Sequence, residues 1–263
     1  MSAPNDSKGI SRRGWLQAGL ASASALTLGA CDRITNSPTG NEVLSSAEGL
    51  SRRAQRLFID RKALAREFQP SDISPDFKPN GSIDPQDPDY LALKANAFAD
   101  YRLVVDGLVD HPLSLSLADL RALPSRTQIT RHDCVEGWSS IAKWTGARLS
   151  PLLDKAGVKP NARYIVFHCF DTLDGPMDGK GRYYESVDLL DAHHPQTILA
   201  YAMNDRALPV QHGAPLRLRV ERQLGYKQAK YIQRIEAVAD YTHLHSGGGG
   251  FWEDRGYEWY AGI

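Results

Sequence analysis

The chain has 263 residues, enough for one substantial core or two small domains, and its 42% hydrophobic and 24% charged residues are ordinary for a globular protein. Its 31 basic and 31 acidic side chains cancel, which removes the broad basic field that nucleic-acid binding uses. Three cysteines, Cys31, Cys134 and Cys169, with no CxxC spacing, exclude a four-cysteine zinc site, a cysteine-ligated iron–sulfur cluster and c-type haem attachment.

Residues 1–30 read as an export signal. A polar start is followed by Ser11-Arg12-Arg13-Gly14-Trp15-Leu16 and a weakly apolar run to Ala30, the order of a twin-arginine signal. The run from Leu16 is about 15 residues, short of the roughly 20 that a spanning helix needs. It ends in Leu28-Gly29-Ala30-Cys31, similar to a lipobox whose cysteine is lipidated; a plain signal with a coincidental cysteine is the alternative. Residues 31–49, rich in Ser, Thr, Asn, Pro and Gly, read as a flexible tether.

Within residues 50–75, Leu50, Ala54, Leu57, Phe58, Leu64, Ala65 and Phe68 recur at three- and four-residue steps, predicting a docking helix that Pro70 ends. Phe77 to Tyr90, with Pro79, Gly81, Pro85 and Pro88, reads as a long irregular loop of the kind that carries function. Tyr101–Leu108 is a predicted strand, and Ser116 with Asp119 forms a capping box for a helix closed by Pro124. Thr127–Cys134 is a strand, Ser150-Pro151 opens a helix ended by Gly157, and Tyr164–Phe170 is a strand. Thr197–Met203 and Ala207 onward form a hairpin around Asn204-Asp205. Leu216, Leu218 and Val220 alternate with Arg217, Arg219 and Glu221, placing the arginines opposite the aliphatics. The fold class is α+β, mixed sheets with short helices, without the regular βα repeat of a nucleotide-binding sheet.

Common catalytic signatures are missing: no GxSxG, no GxxxxGK[ST], no HExxH, and Gly247–Gly250 lacks GxGxxG spacing. His243 and His245 share a spacing that metal ligands use, with no third ligand to name. Arg131-His132-Asp133-Cys134-Val135-Glu136-Gly137-Trp138 is more informative. A strand-end cysteine beside Arg131 and His132 is placed to favour the thiolate, the form that binds a soft metal or attacks an electrophile. A buried structural cysteine is the competing reading.

Cys134-Val135-Glu136-Gly137-Trp138 followed by Lys143-Trp144-Thr145-Gly146, then His194-Pro195-Gln196-Thr197, His212-Gly213-Ala214-Pro215-Leu216-Arg217 and Gly225-Tyr226-Lys227-Gln228-Ala229-Lys230, resembles the molybdopterin domain of the sulfite oxidase superfamily. The closest type is the exported bacterial branch that includes methionine sulfoxide reductase catalytic subunits. The likeness covers roughly residues 77–240, and residues 76–263 are expected to form a molybdopterin-binding domain. The resemblance implies that Cys134 ligates molybdenum, one per chain, and that Phe77, Asn80, His212, Arg217, Gln228, Ala229 and Lys230 hold the cofactor. Cys169 falls where relatives place Thr or Asp beside it. Tyr183 aligns with a substrate-pocket tyrosine, and Arg131 and Arg182 are anion-binding candidates that also read as plain surface arginines.

By the same resemblance the chain is expected to catalyse two-electron oxygen-atom transfer on a small sulfur-type substrate. No C-terminal dimerisation domain and no haem domain are expected, so electrons pass through a separate partner, a membrane or soluble cytochrome. Twin-arginine export moves folded proteins and so suits a cofactor inserted before export. The expected location is periplasmic or otherwise extracytoplasmic, with membrane contact through the signal or a lipid on Cys31. Two other readings stay open: a lipid-anchored binding protein that keeps the fold without redox activity, and a thiol enzyme pairing Cys134 with His132 or His168.

Overall fold

The computed structural model describes residues 49–50, 53–54, 62–173 and 181–263. The export signal, Cys31 and nearly all of the tether lie outside them. Gly49, Leu50, Arg53 and Ala54 are helical, and the chain divides into one unit over Met1–Ala54 and a second, compact one over Gln55–Ile263.

Among its described residues the second unit has ten strands: β1 (Leu103–Gly107), β2 (Leu113–Leu115), β3 (Ser125–Asp133), β4 (Ser139–Arg148), β5 (Tyr164–Thr172), β6 (Arg182–Asp188), β7 (Ile198–Met203), β8 (Arg206–Ala207), β9 (Arg217–Arg219) and β10 (Ile232–Val238). They form two sheets. One has the order β2-β1-β10-β5-β6, in which β1 and β10 are parallel and the other pairs antiparallel; the other has the order β3-β4-β7-β8, with β9 also paired to β7. The described residues of this unit also form four short α-helices: α1 (Pro88–Ala95) ahead of the strands, and α2 (Leu117–Ala122), α3 (Leu149–Ala156) and α4 (Leu189–Ala192) between them. The expected mixture of sheets and short helices is what the chain adopts.

Local chemistry explains most boundaries. Ser116 accepts from the Asp119 N–H while the Asp119 carboxylate accepts from the Ser116 N–H, closing the box that starts α2. Gly157 takes the left-handed conformation that ends α3. That helix starts at Leu149, ahead of the expected Ser150-Pro151, and no side chain caps it. Asn204 and Asp205, both at positive φ, make the tight turn between β7 and β8. The Phe77–Tyr90 stretch is irregular only as far as Asp87, whose carboxylate accepts from Asp89 and Tyr90 and starts α1 with Pro88 at its first position.

The docking helix needs a correction at its C-terminal end. From Ala63 to Gln69 the backbone is not helical: Glu67 bridges to Thr130, and the Phe68 N–H donates to the Ile129 carbonyl at 2.9 Å; a single 3-10 turn follows at Pro70–Asp72. The Gln196 side chain clamps Ala65, accepting its N–H at 2.7 Å and donating to its carbonyl at 3.0 Å. Leu64, Ala65 and Phe68 have helical spacing, but pairing along the open edge of β3 wins locally. Residues 55–61 lie outside the described residues.

The larger core joins β1, β5, β10 and α3 through Leu103, Val105, Leu152, Leu153, Ile165, Phe167 and Ile235, all fully buried. A smaller one centres on Trp144 with Phe77, Ala142, Ile198 and Ala200. No helix among the described residues is long and apolar enough to cross a membrane.

Candidate functional site

Cys134 sits at the tip of the β3–β4 hairpin. Its N–H donates to Trp138 O at 2.9 Å and its carbonyl accepts from Gly137 N at 3.0 Å, so five residues turn the chain and present the thiol beyond the end of the sheet. The tip is braced from the Phe77–Asp87 loop: Lys78 Nζ lies 3.6 Å from Glu136 Oε2 and 5.4 Å from the centre of the Trp138 ring, whose N–H donates to Glu136.

The thiol opens on a cleft lined by Asn80, Gly81, Ser82, Cys134, Asp171, Leu173, Tyr183, Tyr226, Gln228, Lys230, Trp252 and Tyr257 among others. Five of the expected site residues, Asn80, Cys134, Tyr183, Gln228 and Lys230, therefore meet in one place. Phe77, His212, Arg217 and Ala229 stand behind the wall. Phe77 packs edge-on against Trp144 and His212 at ring distances of 5.5 and 5.4 Å. Arg217 is fully buried and donates through Nη1 to His212 O at 3.0 Å. The Ala229 carbonyl accepts from Leu218 N at 2.8 Å. Gly213 has φ +109°, and a Cβ there would lie 2.9 Å from Lys230 Cβ, so the His212-Gly213 turn can approach Lys230 only as glycine.

Cys169 does not line this cleft but a neighbouring groove with His168, Arg182 and Tyr183. It is buried with its thiol directed back at the Phe167 carbonyl, while Asp171, two residues on, reaches the cleft. The β5–β6 pairing breaks between His168 and Thr172, a local irregularity that alternation alone does not reveal. Asp171 is the residue the sequence reading missed here. Its Oδ1 is buried without a hydrogen-bond partner, and burial raises its carboxyl, with Lys230 acting against that rise. Trp252 and Tyr257, read only as the end of the chain, also wall the cleft.

Lys230 donates to the carbonyls of Asn80 (2.6 Å), Ser82 and Gln211 (3.3 Å), so its ammonium ties the loop to the cleft floor. Burial first, then Arg217, lowers its pKa. The Tyr183 hydroxyl donates to Tyr226 O, leaving its oxygen as an acceptor. Burial and the neighbouring Arg217 bring His212 down to about 4, so its imidazole is neutral; Gln211 Nε2 lies 3.2 Å from Nε2, which makes that nitrogen the acceptor.

The expected cationic activation of Cys134 does not hold. Arg131 pairs with Asp133 at 2.8 Å. His132 is buried, its pKa pushed well down by burial and by Arg219, whose Nη1 lies 3.2 Å from Nδ1. Burial then raises the Cys134 thiol, which weighs against the thiol-enzyme reading. His168 is engaged with Glu236 at 2.9 Å. Arg182 pairs with Asp87 and donates to Gln233 at 3.2 Å, lining a separate groove. His243 lies 3.6 Å from Asp240 and His245 stacks on Tyr184 at 4.2 Å; among the described residues no three His, Cys, Asp or Glu form a metal cluster. Arg217 and Arg219 do lie opposite the aliphatics, but that face is interior: their guanidinium carbons sit 4.9 and 4.5 Å from the centre of the Trp144 ring.

The donor set fits a molybdopterin. Arg217 Nε and Nη2, Asp171 Oδ1 and Gln228 Oε1 are buried polar atoms without partners among the described residues, and such atoms cost free energy unless a ligand satisfies them. Cationic donors suit a phosphate, amide and carboxylate oxygens suit N–H groups of a heterocycle, and a lone thiol suits a soft metal. Residues 90–245, more than half of the chain, match the family described as "Oxidoreductase molybdopterin binding domain". The chain belongs to this family.

Its relatives include a putative protein-methionine-sulfoxide reductase subunit YedZ1 of Azospira oryzae, 41% identical over 62% of this chain and 56% of that protein. Two protein-methionine-sulfoxide reductase catalytic subunits, MsrP, are also similar. The one from Xanthomonas axonopodis is 35% identical over 56% of this chain and 48% of its own length; the one from Campylobacter jejuni is 33% identical over 52% and 48%. The chain thus spans about half the length of the curated relatives it matches. Among solved structures, the sulfane dehydrogenase SoxCD of Paracoccus pantotrophus aligns with TM-score 0.47 and 25% identity over 54% of this chain and 39% of its own.

Proposed function

We propose that the chain is an exported molybdenum-cofactor oxidoreductase that transfers an oxygen atom on a small sulfur-type substrate, in the reductive direction a sulfoxide. The observation that carries this reading is the convergence of Cys134, Asn80, Gln228 and Lys230, from three separate segments, on one cleft. The relatives named as methionine sulfoxide reductase subunits support the choice of substrate class and direction. Reduction follows R2SO + 2 e− + 2 H+ → R2S + H2O.

When bound, the cofactor supplies the two-electron exchange and this chain supplies the binding. Cys134 would hold the molybdenum through its thiolate, the form of cysteine that binds a soft metal. Lys230 in the cleft and Arg217 behind it would supply the positive charge that a phosphate needs, with neutral His212 beside them. Asp171 and Gln228 would accept hydrogen bonds from the pterin through their unpartnered oxygens. Tyr183, Trp252 and Tyr257 wall the substrate side and limit water. Electrons arrive from a separate partner, a membrane or soluble cytochrome. Residues 1–30 act as a twin-arginine signal, and Cys31 carries the lipid that anchors the protein on the periplasmic side.

The test is molybdenum and pterin analysis of mature protein expressed in a cofactor-making host. About one molybdenum per chain is expected, lost in Cys134→Ser. Folded, freshly exported protein without molybdenum overturns the reading and leaves the lipid-anchored binding protein in its place. Radiolabelled palmitate tests the anchor, with incorporation expected in the native chain and none in Cys31→Ala.

A further inference from the structure

Behind the cleft wall, Lys227 is buried between two carboxylates. Its Nζ lies 2.5 Å from both Glu185 Oε1 and Glu253 Oε1, and no side chain of the three is more than 1% exposed. The second oxygens, Glu185 Oε2 and Glu253 Oε2, have no hydrogen-bond partner among the described residues. The three residues come from different segments, and each segment supplies a wall of the cleft one or two residues away. Glu185 shares β6 with Tyr183; Lys227 lies in the turn with Gly225, Tyr226 and Gln228; Glu253 follows Trp252 in the C-terminal segment.

Two buried carboxylates against one ammonium leave a net negative charge in an apolar interior, and such a charge is costly. One retained proton makes the group neutral. Burial and the facing Glu253 raise the Glu185 carboxyl, with Lys227 opposing. The close fit leaves little room for water: a Cβ on Gly250 would lie 2.1 Å from Glu253 Oε2 and 2.7 Å from Glu185 Oε1. The groups that face the trio are Tyr183 and Tyr184 from β6, Cys169 from β5, Tyr226 beside Lys227, and Asp254, which Tyr184 engages at 2.6 Å. The Trp259 ring covers the ammonium at 5.1 Å.

We infer that Lys227, Glu185 and Glu253 form a positioning clamp that carries one shared proton and fixes three walls of the cleft relative to one another. The inference rests on the cofactor reading only for its activity arm. The clamp loosens when the shared proton is lost, because two charged carboxylates then repel across one ammonium, and Tyr183, Tyr226 and Trp252 shift with it.

The test uses full mature protein carrying its cofactor, with Glu253→Gln and Lys227→Met, each read between pH 7 and 9.5. Trp252 emission, taken as the difference from a Trp252→Phe background, reports the wall, and sulfoxide KM and kcat report the pocket. In the native chain, emission is expected to change with a one-proton slope and KM to rise at least five-fold toward pH 9.5, with kcat changing less than two-fold. In Glu253→Gln, which makes the trio neutral without a shared proton, this alkaline limb disappears. Lys230 and Cys134 remain in that variant, so their titration stays in the residual profile. Lys227→Met is expected to raise KM ten-fold or to fail to fold, and Glu253→Gln decides the matter if it does fail. A native emission profile flat across the range, or an alkaline limb unchanged in Glu253→Gln, overturns the clamp. Protein without molybdenum overturns the cofactor reading instead, and the emission arm still decides the clamp.

Discussion

Cys134 and His212 show how burial, rather than charge alone, sets the chemistry of single residues. Burial raises the Cys134 thiol, so cofactor-free protein is expected to react with iodoacetamide slowly at pH 7 and at least ten-fold faster at pH 9. Loaded protein is protected, and Cys169 is silent until the chain unfolds; mass spectrometry of the labelled peptides checks all three. His212 works through linkage. Its folded pKa of about 4 lies below the unfolded value near 6.5, so between these pH values the unfolded chain holds the extra proton. The stability it contributes is fully present above pH 6.5 and is lost as pH falls toward 4. His132, lowered in the same direction by burial, adds to it. Urea midpoints are expected to fall across that window, less steeply in His212→Gln.

Elements carry the site because they end where they do. The β3–β4 hairpin is held by nine facing pairs from Ser125↔Ala147 to Asp133↔Ser139, and its rigidity places Cys134. Trp144, fully buried between Arg217 and Arg219, ties that hairpin to β9. Trp144→Ala is expected to cost about 3–5 kcal/mol in denaturant unfolding and to reduce molybdenum content. Ser116→Ala, by contrast, removes the cap of α2 far from the cleft. It is expected to cost about 1 kcal/mol and roughly 2–4 °C in Tm, with molybdenum per chain unchanged. Gly213→Ala forces a side chain into the left-handed region and against Lys230. It is expected to lower molybdenum content by at least half, with a smaller loss of far-ultraviolet circular dichroism signal.

At the scale of the molecule, the proposed cofactor bridges segments far apart in the chain, from Asn80 to Lys230, and satisfies interior atoms that otherwise lack partners. Loaded protein is therefore expected to melt several degrees above cofactor-free protein in differential scanning calorimetry. The sequence by itself determined the fold class, the capping box at Ser116, the Asn204-Asp205 turn and the alternation around Arg217, because each depends on neighbours in the chain. It also singled out Cys134 as the candidate ligand, through a motif whose residues are contiguous. Tertiary structure alone decided the rest. Leu64, Ala65 and Phe68 left helical spacing for the edge of β3, where Gln196 and Ile129 offer hydrogen bonds from more than sixty residues away. A break in strand pairing brought Asp171 rather than Cys169 to the cleft. The alternating arginines turned inward because Trp144 lies on that side. Lys227 acquired two carboxylates from β6 and the C-terminal segment. In each case the deciding partner lies elsewhere in the chain, beyond the reach of local sequence pattern.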